Sequence, residues 1–130
     1  MSPRSVEFMD QARDRAALAR EAFAAGHIEG AVSAAYYAML YAARAALSER
    51  DEYARTHTGT WHLFHASYVA TGAFDQHLHA LATRSQSTRE QGDYEAITPD
   101  RAEAQEIVEG AADYIAAVEV MLEGRGQASA

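Results

Sequence analysis

The sequence predicts an all-α fold, a four- to five-helix up-and-down antiparallel bundle, from three observations. Apolar residues recur every three or four positions along most of the 130-residue chain, the spacing of one face of a helix. The periodic stretches are separated by short breaks at Gly26, Ser48–Glu52, Gly72 and Thr98-Pro99, which suit antiparallel neighbours. No repeat, low-complexity block or long linker interrupts them. The length corresponds to one domain over residues 1–124, able to bury about two-thirds of its unfolded surface. A flexible tail is expected over 125–130.

The organising stretch is Gly30 to Leu47, in which Arg44 is the only charge. At helical spacing it carries an apolar stripe of Val32, Tyr36, Leu40, Ala43 and Leu47. Beside that runs a polar-aromatic stripe of Ser33, Tyr37, Tyr41, Arg44 and Ser48. Both stripes should face protein, and the alanines between them let neighbouring helices approach closely. Tyrosines, a serine and an arginine in so short a segment rule against a membrane span. A buried helix of a soluble protein is the expectation.

Before it, Phe8, Met9, Ala12, Ala16, Ala19, Ala22 and Phe23 mark an amphipathic first helix over Ser5–Ala25, closed by Gly26. After it, the hydroxyls of Thr56-His57-Thr58-Gly59 are placed to cap a third helix. That helix runs through Trp61, Phe64, His65, Tyr68 and Val69 to Gly72. A fourth starts near Asp75 and carries Leu78, Leu81, Ser85 and Arg89 along one face. The offset from Leu78 to Arg89 is close to three helical turns, so Arg89 points inward and needs a charge partner; Asp93 is within reach. Thr98 as N-cap and Pro99 as first helical residue should open a fifth helix, with Ile107, Ala111, Tyr114, Ile115, Val118 and Leu122 buried and Gly124 at its end.

The formal charge of −8 opposes a general polyanion-binding surface, so any nucleic-acid contact has to be local. All eleven basic residues are arginine, a planar and permanently charged fork suited to phosphate or carboxylate. With no cysteine, a disulfide framework or thiolate metal site is excluded. Scattered charges in Met1–Asp10 argue against a signal peptide and for a cytoplasmic protein. His57, His62, His65, His77 and His79 share no ligand face with a carboxylate, so neither a metal nor another cofactor is expected. Tyr37, Tyr41 and Arg44 are candidates for stacking on a base or nucleotide, or for a dimer interface, since both uses favour aromatics and arginine.

The run Ala31 to Leu47, then Thr56-His-Thr-Gly59, then Arg89-x-x-Gly-Asp93-Tyr94, then an acidic amphipathic helix over Pro99–Leu122, resembles the small stand-alone bacterial and archaeal branch of the HEPN superfamily. The resemblance implies a helical bundle that often forms homodimers. Such domains occur in RNA-cleaving toxins and defence effectors, commonly encoded beside a nucleotidyltransferase. Catalytic members carry an arginine, four to six intervening residues and then a histidine, and the dimer joins two such pairs in one cleft. Arginine can neutralise a phosphate and histidine can move protons without a metal. In this chain the histidine slot after Arg89 holds Tyr94, a poor base near neutral pH.

Three readings follow. One is a homodimer, in a toxin-antitoxin or defence setting, that binds RNA, a nucleotide or a nucleotidyltransferase partner. Another is a metal-independent endoribonuclease that uses Arg89 with Asp93, Tyr94 or His57. The third is a small-molecule or nucleotide-binding bundle.

Overall fold

The computed structural model describes residues 1–129, with side chains as far as Gly124. Five α-helices follow one another: α1 (Pro3–Ala24), α2 (Ile28–Ser48), α3 (His57–Phe64), α4 (Gln76–Glu95) and α5 (Arg101–Ser129). A single π-helical stretch, His65–Val69, continues α3. The described residues contain no strand.

Each of the first four helices begins or ends where local chemistry dictates. Ser2 caps α1 by accepting from the Ser5 amide, with Pro3 in the first turn. Gly26 takes a φ of +84°, a left-handed conformation that lets the chain reverse into α2. Thr56 accepts from the Gly59 amide at 2.9 Å and starts α3. Asp75 accepts from the amides of His77 and Leu78 at 2.7 and 3.0 Å and starts α4.

The central helix is α2, which packs on α1, α3, α4 and α5. Val32, Tyr36, Leu40, Ala43 and Leu47 are buried, and so are the alanines on its other faces. Ala12, Ala16 and Ala19 of α1 meet it with small side chains, so the two backbones approach closely, and Met9 is buried beside them. The approach is fixed by Ser5, whose buried hydroxyl donates to the Ala45 carbonyl at 3.0 Å. Farther along α2, the Tyr68 hydroxyl donates to the Ala46 carbonyl at 2.6 Å and anchors the π-helical stretch. Ile107, Ala111, Tyr114, Ile115, Val118 and Leu122 of α5 complete the core.

Two expected boundaries are corrected. Thr98-Pro99 does not open α5: the helix starts at Arg101, and Asp100 accepts from the Glu103 amide at 2.8 Å. Asp100 and Glu103 have the spacing of a capping box, and Thr98 is engaged elsewhere, donating to Glu29 at 2.7 Å. Gly124 does not end the helix, which runs to Ser129. A single exposed glycine costs only about 1 kcal/mol in a helix, and the helix continues through it. The side chains of the tail expected over 125–130 lie outside the described residues. No described helix is long and apolar enough to cross a membrane.

Helices α4 and α5 cross at Gly110, which is buried against Leu81. A Cβ there would fall 2.0 Å from Leu81 Cδ2, so the leucine must leave its rotamer. Gly110→Ala is therefore expected to lower stability by about 1–3 kcal/mol, despite alanine's better helix propensity. A urea titration with an unchanged or raised midpoint would show that the crossing accommodates the methyl group.

Candidate functional site

The side chain of Arg89 turns off α4 toward α2, where the tyrosine pair receives it. It is only 17% exposed, and its guanidinium carbon lies 5.4 Å from the ring centre of Tyr36 and 5.2 Å from that of Tyr37. Nη1 pairs with Asp93 at 2.7 Å, one turn on, while Nε is buried without a hydrogen-bond partner. The arginine is thus held by cation–π attraction and one carboxylate, with hydrogen-bonding capacity unused.

His57 enters the same place from another direction. As the first residue of α3, it is fixed by the Thr56 cap, and its ring stands edge-on to Tyr37, with centres 5.7 Å apart. Its Nδ1 lies 2.9 Å from the Tyr36 hydroxyl. Burial pushes that hydroxyl up to about 12, so Tyr36 keeps its proton at neutral pH. Burial first, and then the charges of Arg44 and Arg89, hold His57 below its usual 6.5, with Glu90 opposing them. A neutral imidazole therefore stands in the field of two guanidiniums.

The hydrogen bond decides what that imidazole can do. Nδ1 of His57 is the acceptor within reach of the buried Tyr36 hydroxyl, and a buried O–H left without an acceptor costs about 1–3 kcal/mol. Tyr36 accordingly donates to Nδ1, which puts the imidazole proton on Nε2. In that tautomer His57 is a donor to an anion and not a base.

The remaining polar-aromatic stripe of α2 is half-buried. Arg15 of α1 covers Tyr37 and Tyr41 at 5.7 and 5.6 Å, and Phe8 stacks on Tyr41. Arg44 lies 5.9 Å from the Tyr53 ring centre, and its Nε too is buried without a partner. Among the described residues neither Arg15 nor Arg44 has an ion pair, whereas Arg50, Arg84 and Arg89 each have one and Arg13 has two. Arg15 and Arg44 thus carry charge that no ion pair neutralises, and Glu90 is the acid whose charge reaches Tyr36 and His57.

Of the residues singled out from sequence, Tyr37, Arg44, His57, Arg89 and Asp93 come together here, with Tyr41 beside them under Arg15. Tyr94 does not join them: it is 84% exposed and points to solvent. Sequence reasoning placed Tyr36 in the apolar stripe and missed its hold on His57. Arg15 carried no signal of its own, because it reaches the tyrosines only once α1 lies along α2.

The family model for the HEPN domain matches residues 5–121. The chain belongs to the HEPN family. It is also similar to the UPF0332 protein glr0978 of Gloeobacter violaceus, at 32% identity over 94 residues, which covers 72% of this chain and 75% of that protein. Within this HEPN domain, His57 and Arg89 both stand against the Tyr37 ring, while Tyr94 faces outward.

Three outcomes follow from this geometry. Imidazole nitrogen NMR shifts should show His57 protonated on Nε2 in the wild type, and Tyr36→Phe should release that preference. A wild-type proton on Nδ1 would reverse the direction of the Tyr36 bond. Arg89→Ala should cost about 1–2 kcal/mol, because Asp93 is half exposed and is not left as a buried charge.

The third outcome concerns pH. Burial also lowers His79, with the charge of His65 acting in the same direction. Native His57 and His79 bind protons less readily than the unfolded chain. Their contribution to stability is therefore complete above about pH 6.5 and is lost as the pH falls from there through the depressed native values. Thermal melts should show this fall, and His57→Gln should make it shallower. An identical pH profile in that variant would contradict the assignment for His57.

Proposed function

We propose that this HEPN protein is a homodimer that binds the phosphate groups of RNA in the cleft of Arg44, His57 and Arg89, with a base stacked against Tyr37, and that it works by binding rather than by efficient cleavage. The observation that carries this reading is the buried Tyr36 hydroxyl beside His57 Nδ1, which makes His57 Nε2 a donor. The charges of two guanidiniums, Arg44 and Arg89, act on that imidazole. Arginine forks and a neutral N–H donor suit a phosphodiester, and tyrosine faces suit a base. The local surplus of cations answers the objection that the whole chain is acidic.

Homodimer formation draws support from the family and from exposed Tyr94 and Ile97 beyond the cleft, at 84% and 48%. A toxin-antitoxin or defence role in the cytoplasm, with a nucleotidyltransferase as partner, accords with the family resemblance. A second reading, metal-independent endoribonuclease, is favoured by one observation: His57 and Arg89 stand over the same tyrosine. It needs the opposite His57 tautomer, with Nε2 unprotonated and able to take the ribose hydroxyl proton.

The test is binding and cleavage of the same labelled single-stranded RNA in the presence of a chelator. Binding should weaken about tenfold in Arg89→Ala and in Arg44→Ala, the loss of one charge-assisted contact. Cleavage by the wild type should be slow or undetectable. Rapid cleavage abolished by both Arg89→Ala and His57→Ala would establish the enzyme reading in place of this one.

A further inference from the structure

The cation-rich face does not stop at the cleft. Beyond Arg44 it continues to Tyr53, in the loop between α2 and α3, and to Arg4 on the first turn of α1. The guanidinium carbons of Arg4 and Arg44 lie 5.4 and 5.9 Å from the centre of the same Tyr53 ring, and the tyrosine is 52% exposed. Among the described residues, neither arginine has an ion pair with a carboxylate.

Two acids that follow α2, Glu49 and Glu52, are engaged elsewhere. Glu49 accepts from the Ser2 amide at 3.1 Å and faces the N-terminal ammonium at 3.6 Å. Glu52 pairs with Arg50 at 2.6 Å and accepts from Ser67 at 3.2 Å. Two charges around an aromatic ring, with Glu49 and Glu52 turned to other partners, form a place for an anion joined to a flat group.

We infer that Arg4, Arg44 and Tyr53 form a second subsite for a nucleotide unit of the same strand, so that the ligand is a single-stranded oligonucleotide and not a mononucleotide. This rests on the reading of the Arg89 cleft as a phosphate site. Tyr37, where the cleft takes a base, and Arg44, which the cleft shares with Tyr53, are two turns apart on α2, about 10 Å along the helix axis. With a rise of about 3.4 Å per stacked nucleotide, that separation corresponds to roughly three nucleotides. A mononucleotide is too short to engage both ends. Arg44 lies between the two subsites, acting on His57 at one side and on Tyr53 at the other. A stacking ring between cations also favours unpaired bases, whose faces are open, over a duplex.

The probes are AMP and a labelled single-stranded tetranucleotide RNA, with the duplex of the same sequence as a further arm. The tetranucleotide should bind at least ten times more tightly than AMP and more tightly than the duplex. Arg4→Ala and Tyr53→Ala should each weaken the tetranucleotide about three- to tenfold and leave AMP unchanged. Arg4→Ala should also reduce the slope of log affinity against log salt by about 0.7, one phosphate contact on a single strand. Both side chains are exposed, so the variants should melt with the wild type, which a thermal scan verifies.

Equal affinities for AMP and tetranucleotide, or a tetranucleotide indifferent to Arg4→Ala and Tyr53→Ala, would overturn this inference while Arg89-dependent AMP binding upheld the cleft. If neither probe bound, or if Arg89→Ala changed neither, the cleft reading would fall and this inference with it.

Discussion

The burial of α2 is the constraint on which the rest of this protein depends. A helix with one charge in its central stretch has almost no side that favours water, so α1, α3, α4 and α5 all pack on it. Alanine supplies much of its surface, which brings neighbouring backbones close and leaves few long side chains to fill gaps. The shape of the bundle is then set by the larger residues at wider spacing, above all Tyr36, Leu40 and Leu47, and by their partners Phe64 and Tyr114. Polar groups inside such a packing must find partners, and the hydroxyls of Ser5 and Tyr68 do so on α2's own carbonyls.

The same constraint produces the site. The one stripe of α2 that is not fully buried carries Tyr37, Tyr41 and Arg44, and its covering consists mainly of guanidinium groups. Guanidinium lies flat on tyrosine at little desolvation cost, so the stripe is sheltered without being sealed by apolar side chains. The consequence is electrostatic. Arginines placed for their attraction to tyrosine faces are not thereby neutralised, and an acidic protein keeps a locally positive surface. His57 is set into it as a neutral donor because the Tyr36 hydroxyl, itself buried by the central packing, keeps its proton and needs an acceptor for its hydrogen bond.

The bundle was largely legible in the sequence because helix periodicity and capping are local. The spacing of Met9, Ala12, Ala16 and Ala19, the Thr56 and Asp75 caps and Gly26 depend on residues a few positions apart. The start of α5 was misplaced because Thr98-Pro99 and Asp100-x-x-Glu103 are competing local signals. Asp100 prevails while Thr98 is drawn to Glu29, a residue distant in sequence. The end of α5 was misplaced because a glycine in an exposed helix is only mildly unfavourable, and reading it as a stop overweighted propensity.

For the candidate site, the sequence by itself determined the membership of the HEPN family, the inward direction of Arg89, its reach to Asp93 and the presence of tyrosines and Arg44 on one face of α2. Those follow from spacing along single helices. Only the tertiary structure decided that His57 stands beside Arg89 while Tyr94 faces solvent, that Tyr36 fixes the imidazole, and that Arg4, Arg15 and Tyr53 belong to the same face. These residues come from different helices and loops. Their meeting is set by how α1, α3 and α4 settle around α2, which no local pattern encodes.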